Sequence, residues 1–174
     1  GIGGGGSNNL YESLRLSKLN QAEYNFIGSN LDQKILAKSP LAKNVILPVA
    51  VTPAYKPALM DLVKKLNIDL IIPNNDREVG VISEIREDLD CKIFLPDKST
   101  IIACQDKHKM YQKLESFNIP MAKSFAIESL DDIDKLIKQL PGDKFWVRPR
   151  KGSGSKGASW VKTAQQAREW IQLW

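Results

Sequence analysis

One histidine, two cysteines and no long apolar run set the first limits on this chain. With only His108, a His-rich metal site or a Ser-His-Asp triad lacks material, and its place beside Lys107 at a helix start reads as a surface position. Cys91 and Cys104 are too few and too casually spaced for a disulfide framework or a zinc site. They read as core residues in a reducing, cytoplasmic setting. No apolar stretch reaches the roughly 18 residues of a membrane helix, and no signal-sequence pattern opens the chain. The net charge of +5 comes from 25 basic and 20 acidic side chains. They mix in runs such as Asp131-Asp132-Ile133-Asp134-Lys135, which argues against a nucleic-acid partner.

What the chain does have is length and apolar content for a buried core: 174 residues, 43% of them hydrophobic. Its cations concentrate in one place, Arg148 to Lys156. Phe145-Trp146-Val147 and Ala158-Ser159-Trp160-Val161 flank this patch and read as two strands joined by a turn. Between them, Gly152, Gly154 and Gly157 let backbone N–H groups converge without Cβ clashes. Ser153 and Ser155 add hydroxyl donors, and Arg150, Lys151 and Lys156 add charge, a composition suited to phosphate. Gly152 to Gly157 has the glycine spacing of the Walker A loop, yet Ala158 stands where its lysine belongs and a strand follows in place of a helix. A lid over phosphates, with Arg148 as a fixed cation beneath it, fits better. The plainer alternative is an exposed basic hairpin without a ligand.

Arg148-Pro149, then Lys151 to Gly157, preceded by Asp106-Lys107 at the start of a helix that stops at Asn118-Ile119-Pro120, resembles the first half of an ATP-grasp domain. The pattern is similar to that of the carbamoyl-phosphate synthase large chain, which shares Arg-Pro on that strand. The resemblance implies that Lys107 and Arg148 contact ATP phosphates, with Arg148 acting in catalysis, and that Lys151, Gly152, Ser153, Gly154, Ser155, Lys156 and Gly157 form a mobile loop over the β and γ phosphates. It further implies an ATP-dependent ligase that uses magnesium and activates a small-molecule carboxylate as an acyl phosphate for attack by an amine or similar nucleophile. The magnesium ligands and much of the adenine pocket belong to a second lobe that this chain does not supply, so no metal ligand is assigned and the chain alone is expected to be inactive. Self-association is left open.

In chain order, Gly1-Ile2-Gly3-Gly4-Gly5-Gly6 satisfies the dinucleotide pattern G-x-G-x-x-G, although no strand precedes it. Gly3 to Ser7 also matches a flexible linker; a native loop is favoured because Ser7 or Asn8 can cap a helix over Leu10 to Leu19. Strands are expected at Tyr24 to Gly28, Val45 to Val49, Ile68 to Pro73 and Lys92 to Leu95. Helices are expected at Gln33 to Lys38, Ala54 to Leu66 and from Asn74 to about Leu89. Asn75, Asp76 and Glu78, just past a strand's C-terminal end, are substrate-site candidates, with Asp76 doubling as an N-cap. This alternation implies an α/β fold: a Rossmann-like doubly wound parallel sheet over residues 1–97, its first strand missing, that resembles the domain preceding an ATP-grasp domain.

Residues 98–174 then form the first α+β subdomain of the ATP-grasp fold. Asp106 caps a helix to about Phe117, Ser124 to Ile127 is a strand, Ser129 opens a helix to Leu140, and Thr163 caps the last helix. Two rivals remain: a non-catalytic nucleotide or metabolite-binding module using the same loop, and a nicotinamide-binding oxidoreductase domain built on Gly1 to Gly6 and Asp32.

Overall fold

The computed structural model describes residues 1–17 and 24–174. The chain is α/β and divides into two compact units, Gly1–Lys98 and Ser99–Trp174.

In the first unit, α1 (Gly5–Leu16) begins at the N-cap Gly4, which has no side chain to offer. Ser7 and Asn8, expected as caps, brace the glycine turn before the helix. Ser7 Oγ donates to Gly1 O at 2.9 Å, and Asn8 Oδ1 accepts from Gly3 N at 3.1 Å. The expected end of this helix, Leu19, lies outside the described residues. Gly3 has φ +90°, and a Cβ there would sit 2.3 Å from Ile35 O, so only glycine suits the turn. Ile2 is buried and lies along the first strand, donating its N–H to Ser29 O at 2.8 Å.

β1 (Ile27–Asn30) pairs in parallel with β2 (Lys43–Ile46), and α2 (Gln33–Leu36), capped by Asp32, crosses between them. α3 (Tyr55–Leu66) ends on Asn67 in the left-handed region at φ 48°, whose N–H closes onto Val63 O. β3 (Leu70–Ile71) and β4 (Lys92–Ile93) form a second parallel pair. They are bridged by α4 (Asp76–Glu84) and a 3-10 turn at Arg86–Asp88. The N-cap of α4 is Asn75 rather than the expected Asp76: Asn75 Oδ1 accepts from Glu78 N at 2.9 Å.

Leu47, Ala50, Tyr55, Leu59, Val63, Ile82 and Leu89 make one core, with Ile71 of β3 and Ile93 of β4 packed on it. In place of one continuous doubly wound sheet, the described residues of the first unit form two separate two-stranded ladders. Pro48 and Pro73 each follow a strand and bring no N–H, which keeps the ladders short.

The second unit starts with α5 (Lys98–Gln105) and α6 (Lys107–Ser116). Asp106 caps α6 as expected, and Asn118, at φ 57°, turns the chain beyond it ahead of Pro120. Residues 124–127 form no strand. Ser129 caps a 3-10 turn, Leu130–Asp132, that runs into α7 (Ile133–Ile137).

β5 (Phe145–Val147) pairs antiparallel with β6 (Ser159–Val161), and α8 (Ala164–Leu173) follows, capped by Thr163. Gln166 completes that cap by accepting from Lys162 N at 2.8 Å. Phe145, Val161, Ile133 and Ala167 are the buried heart of this unit, with Val147 alongside. Removing most of the Ile133 side chain, only 1% exposed, would cost about 2–5 kcal/mol. None of the helices is long and apolar enough to cross a membrane, among the described residues.

Candidate functional site

The hairpin β5–β6 sorts its side chains by the two-residue period of a strand. Phe145, Val147 and Val161 face the core, while Trp146 and Trp160, paired across the strands, face outward. The two indoles lie 5.0 Å apart between ring centroids and stay 43% and 65% exposed. Aromatic surface of this size usually goes to a core or an interface. Arg148 occupies the next outward position after Trp146; it is exposed and has no hydrogen bond or ion pair among the described residues. At the other end of the same face, Lys144, Trp160, Lys162 and Gln166 line an open depression of about 590 Å³. The outer face is therefore an aromatic step with cations at both ends.

The connecting loop is tied down at its ends. Gly152 (φ 107°), Gly154 (φ 69°), Ser155 (φ 54°) and Gly157 (φ 69°) all adopt left-handed backbone. Such repeated turns form the concave, N–H-lined shapes that accept anions. At the exit, Trp170 Nε1 donates to Gly157 O at 2.9 Å, and a Cβ on Gly157 would meet Pro149 at 2.9 Å. Between these anchors Ser153, Gly154, Ser155 and Lys156 are exposed, as is Lys151 near the entry.

At the entry, Arg150 Nη2 donates to Asp106 Oδ2 at 2.9 Å and Arg150 Nε to Oδ1 at 3.2 Å, a two-pronged pair with a carboxylate only 5% exposed. Glu128 approaches the same guanidinium at 3.5 Å. The hydrogen bond from Arg150, together with backbone donors at the start of α6, holds Asp106 down at about 2 against burial's upward push. Lys107 Nζ donates to Gly152 O at 2.7 Å and to Arg150 O at 3.4 Å. Its ammonium thus sits on loop carbonyls. His108 is not the surface residue expected: it is half-buried, its ring stacks on Tyr111, and its buried Nδ1 has no partner among the described residues.

Lys107 therefore meets the loop directly, in the same unit as Arg148. Asn75, Asp76 and Glu78 cluster separately at the start of α4 in the first unit. There Glu78 Oε2 accepts from Gly1 N at 3.1 Å and from Asn75 Nδ2. Burial, and next the negative charge of Glu78, push the nearby Tyr55 hydroxyl upward. Asp32 spends a carboxylate oxygen capping α2, through Lys34 N at 2.7 Å.

Trp146 and Trp160 went unnoticed as site residues in the sequence. The signal was present as alternation: Phe145 in, Trp146 out, Val147 in, Arg148 out.

No protein-family model matches the chain, and none of the curated proteins matches it. Solved structures do. Over 84% of this chain, at 11% identity and a TM-score of 0.65, it superposes on the biotin carboxylase domain of the Hydrogenobacter thermophilus 2-oxoglutarate carboxylase, a dimer solved with magnesium ADP, ADP and bicarbonate. Over 98%, at 17% identity and a TM-score of 0.65, it superposes on carboxyaminoimidazole ribonucleotide synthase from Aspergillus clavatus with ATP. It shares the ATP-grasp fold. N5-carboxyaminoimidazole ribonucleotide synthetase from Thermotoga maritima has this fold too, with 16% identity over 82% of the chain and a TM-score of 0.57. The chain spans 34%, 43% and 36% of these three ATP-grasp chains, in the order given.

Proposed function

We propose that the Ser99–Trp174 unit binds the base and phosphates of ATP, as part of an ATP-grasp ligase that activates a carboxylate. The observation that carries this reading is the shared outer face of the hairpin: two exposed indoles able to stack on a purine, then Arg148, then a loop of left-handed backbone that can gather N–H groups around phosphate. Two of the fold neighbours were solved with adenine nucleotides, which supports the same ligand.

In this reading Arg148 and Lys107 neutralise charge on the phosphates, and the N–H groups of Gly152 to Gly157, with Ser153, Ser155, Lys151 and Lys156, cover them. Phosphoryl transfer depends mostly on position and electrostatics, which is what such a cradle supplies. A carboxylate oxygen attacks the γ phosphorus, ADP departs, and an amine or similar nucleophile then displaces phosphate from the acyl phosphate. Among the described residues no group of three or more His, Cys, Asp or Glu could hold a metal ion, so the magnesium that accompanies ATP has no assigned ligands here. Residues 1–97 would be the Rossmann-like domain preceding the ATP-grasp domain, with Asn75, Asp76 and Glu78 as its substrate-site candidates. Similarity to the carbamoyl-phosphate synthase large chain rests on Arg148-Pro149 and the loop that follows.

Titration with MgATP, followed by tryptophan emission, tests the proposal. Saturable quenching that weakens in Arg148→Ala and is absent with NAD is the expected result. A response to NAD alone would replace the ligase reading with the oxidoreductase one.

A further inference from the structure

Asp106 serves two elements with one carboxylate. Its Oδ1 accepts from His108 N at 3.0 Å and Lys109 N at 3.2 Å, capping α6, and both oxygens also take the Arg150 guanidinium at the entry to the loop. A backbone bond runs parallel to this clamp, from Lys107 N to Arg150 O at 3.0 Å. Together they bring the Lys107 ammonium to Gly152 O, 2.7 Å away.

We infer that Asp106 is a positioning residue for nucleotide binding: through Arg150 it fixes the first turn of the loop against α6, so that Lys107 rests on Gly152 O until a phosphate replaces that carbonyl. The inference builds on the ATP reading above. A phosphate oxygen carries negative charge and a carbonyl does not, so the ammonium gains a stronger acceptor when nucleotide arrives. Gly152 O then loses its donor, and the exposed part of the loop is released to close. Asp106 and Arg150 stay paired throughout as the fixed end of that motion. Without the clamp Lys107 would have no defined starting point, and nucleotide would have to order both the lysine and the loop.

Asp106→Asn separates the two duties. Asparagine caps a helix about as well as aspartate, but it offers one acceptor oxygen and no charge to the guanidinium. Arg150→Lys, on the exposed partner, keeps the charge and loses the two-pronged geometry. For the whole chain, amide hydrogen exchange without nucleotide and the Kd for MgATP are measured in wild type, both single variants and the double variant. The expected result is exchange roughly tenfold faster at residues 151–157 and a Kd roughly tenfold weaker in each single variant, as loss of a charge-assisted bond implies. Exchange in α8 stays unchanged, and the double variant is no worse than either single one.

Wild-type loop exchange and wild-type Kd in Asp106→Asn would overturn the inference and reduce Asp106 to a helix cap. So would additive losses in the double variant. A wild-type chain that binds no MgATP overturns the nucleotide reading and the handover of Lys107. The exchange measurement still decides, separately, whether the clamp orders the loop.

Discussion

The indole N–H of Trp170 points at the carbonyl of Gly157 and donates to it at 2.9 Å. The last helix thereby holds the exit of the loop, as Asp106 holds its entry. Trp170→Phe keeps most of the ring and removes the donor, so it should lower stability by about 1 kcal/mol in chemical denaturation. The loss should appear in the Ser99–Trp174 unit. Stability unchanged within a few tenths of a kcal/mol would mean that water replaces the indole there without penalty.

Arg148 has no competing partner among the described residues, so its interaction with them does not oppose a ligand. Arg148→Ala should weaken MgATP binding by about 1.5–3 kcal/mol. Lys138→Ala, on the exposed end of α7, should leave it within experimental error. Lys162 would make a poorer control because it lines the depression beside Trp160. Equal losses for Arg148→Ala and Lys138→Ala at fixed ionic strength would remove Arg148 from the site.

Acid should erase the contribution of the Asp106–Arg150 pair. The folded carboxyl titrates at about 2, below its ordinary value of 3.8. The stabilisation is therefore fully present above about pH 4 and is lost as pH falls from there through the folded value. Asparagine does not titrate in this range. The difference in Tm between wild type and Asp106→Asn should accordingly narrow between pH 6 and pH 2.5, as scanning calorimetry would record. A constant difference would place the effect elsewhere.

Neighbouring glycines at the chain's start should respond with opposite signs. Gly3→Ala forces a side chain into left-handed backbone and onto Ile35 O, and should destabilise by at least about 1 kcal/mol. Gly6→Ala lies in α1 with open space around it, and should stabilise by about 0.5 kcal/mol. Urea midpoints of the two variants on the same side of wild type would show that the turn before α1 is not formed in solution.

Much of this architecture was readable from local chemistry. Asp106, Ser129 and Thr163 each cap the turn or helix expected of them, because a capping side chain needs only its own next two or three residues. α3 and the hairpin were legible for the same reason, through period and turn chemistry. The four strands of the first unit and their parallel direction were legible too; their division into two separate ladders was not, since pairing joins segments separated by helices and nothing in one strand encodes its partner. Asp76 lost the cap of α4 to Asn75 by one position, a choice between adjacent side chains that depends on where the strand before them ends. Asp106–Arg150 was invisible for a further reason: aspartate had a sufficient local role as a cap, and the guanidinium that shares it comes from a loop far along the chain.

Trp146, Trp160, Trp170 and Trp174 are all the tryptophans the chain has, and every one lies in the Ser99–Trp174 unit. Indole emission is consequently a private spectroscopic channel for one half of the molecule. The Gly1–Lys98 unit is optically silent at that wavelength and reports through Tyr11, Tyr24 and Tyr55. An unfolding curve followed at indole emission will describe the hairpin and its helices, whatever the parallel ladders are doing. Recording it beside far-ultraviolet circular dichroism, which sees helices in both units, turns that asymmetry into a direct measure of whether the halves melt as one cooperative body.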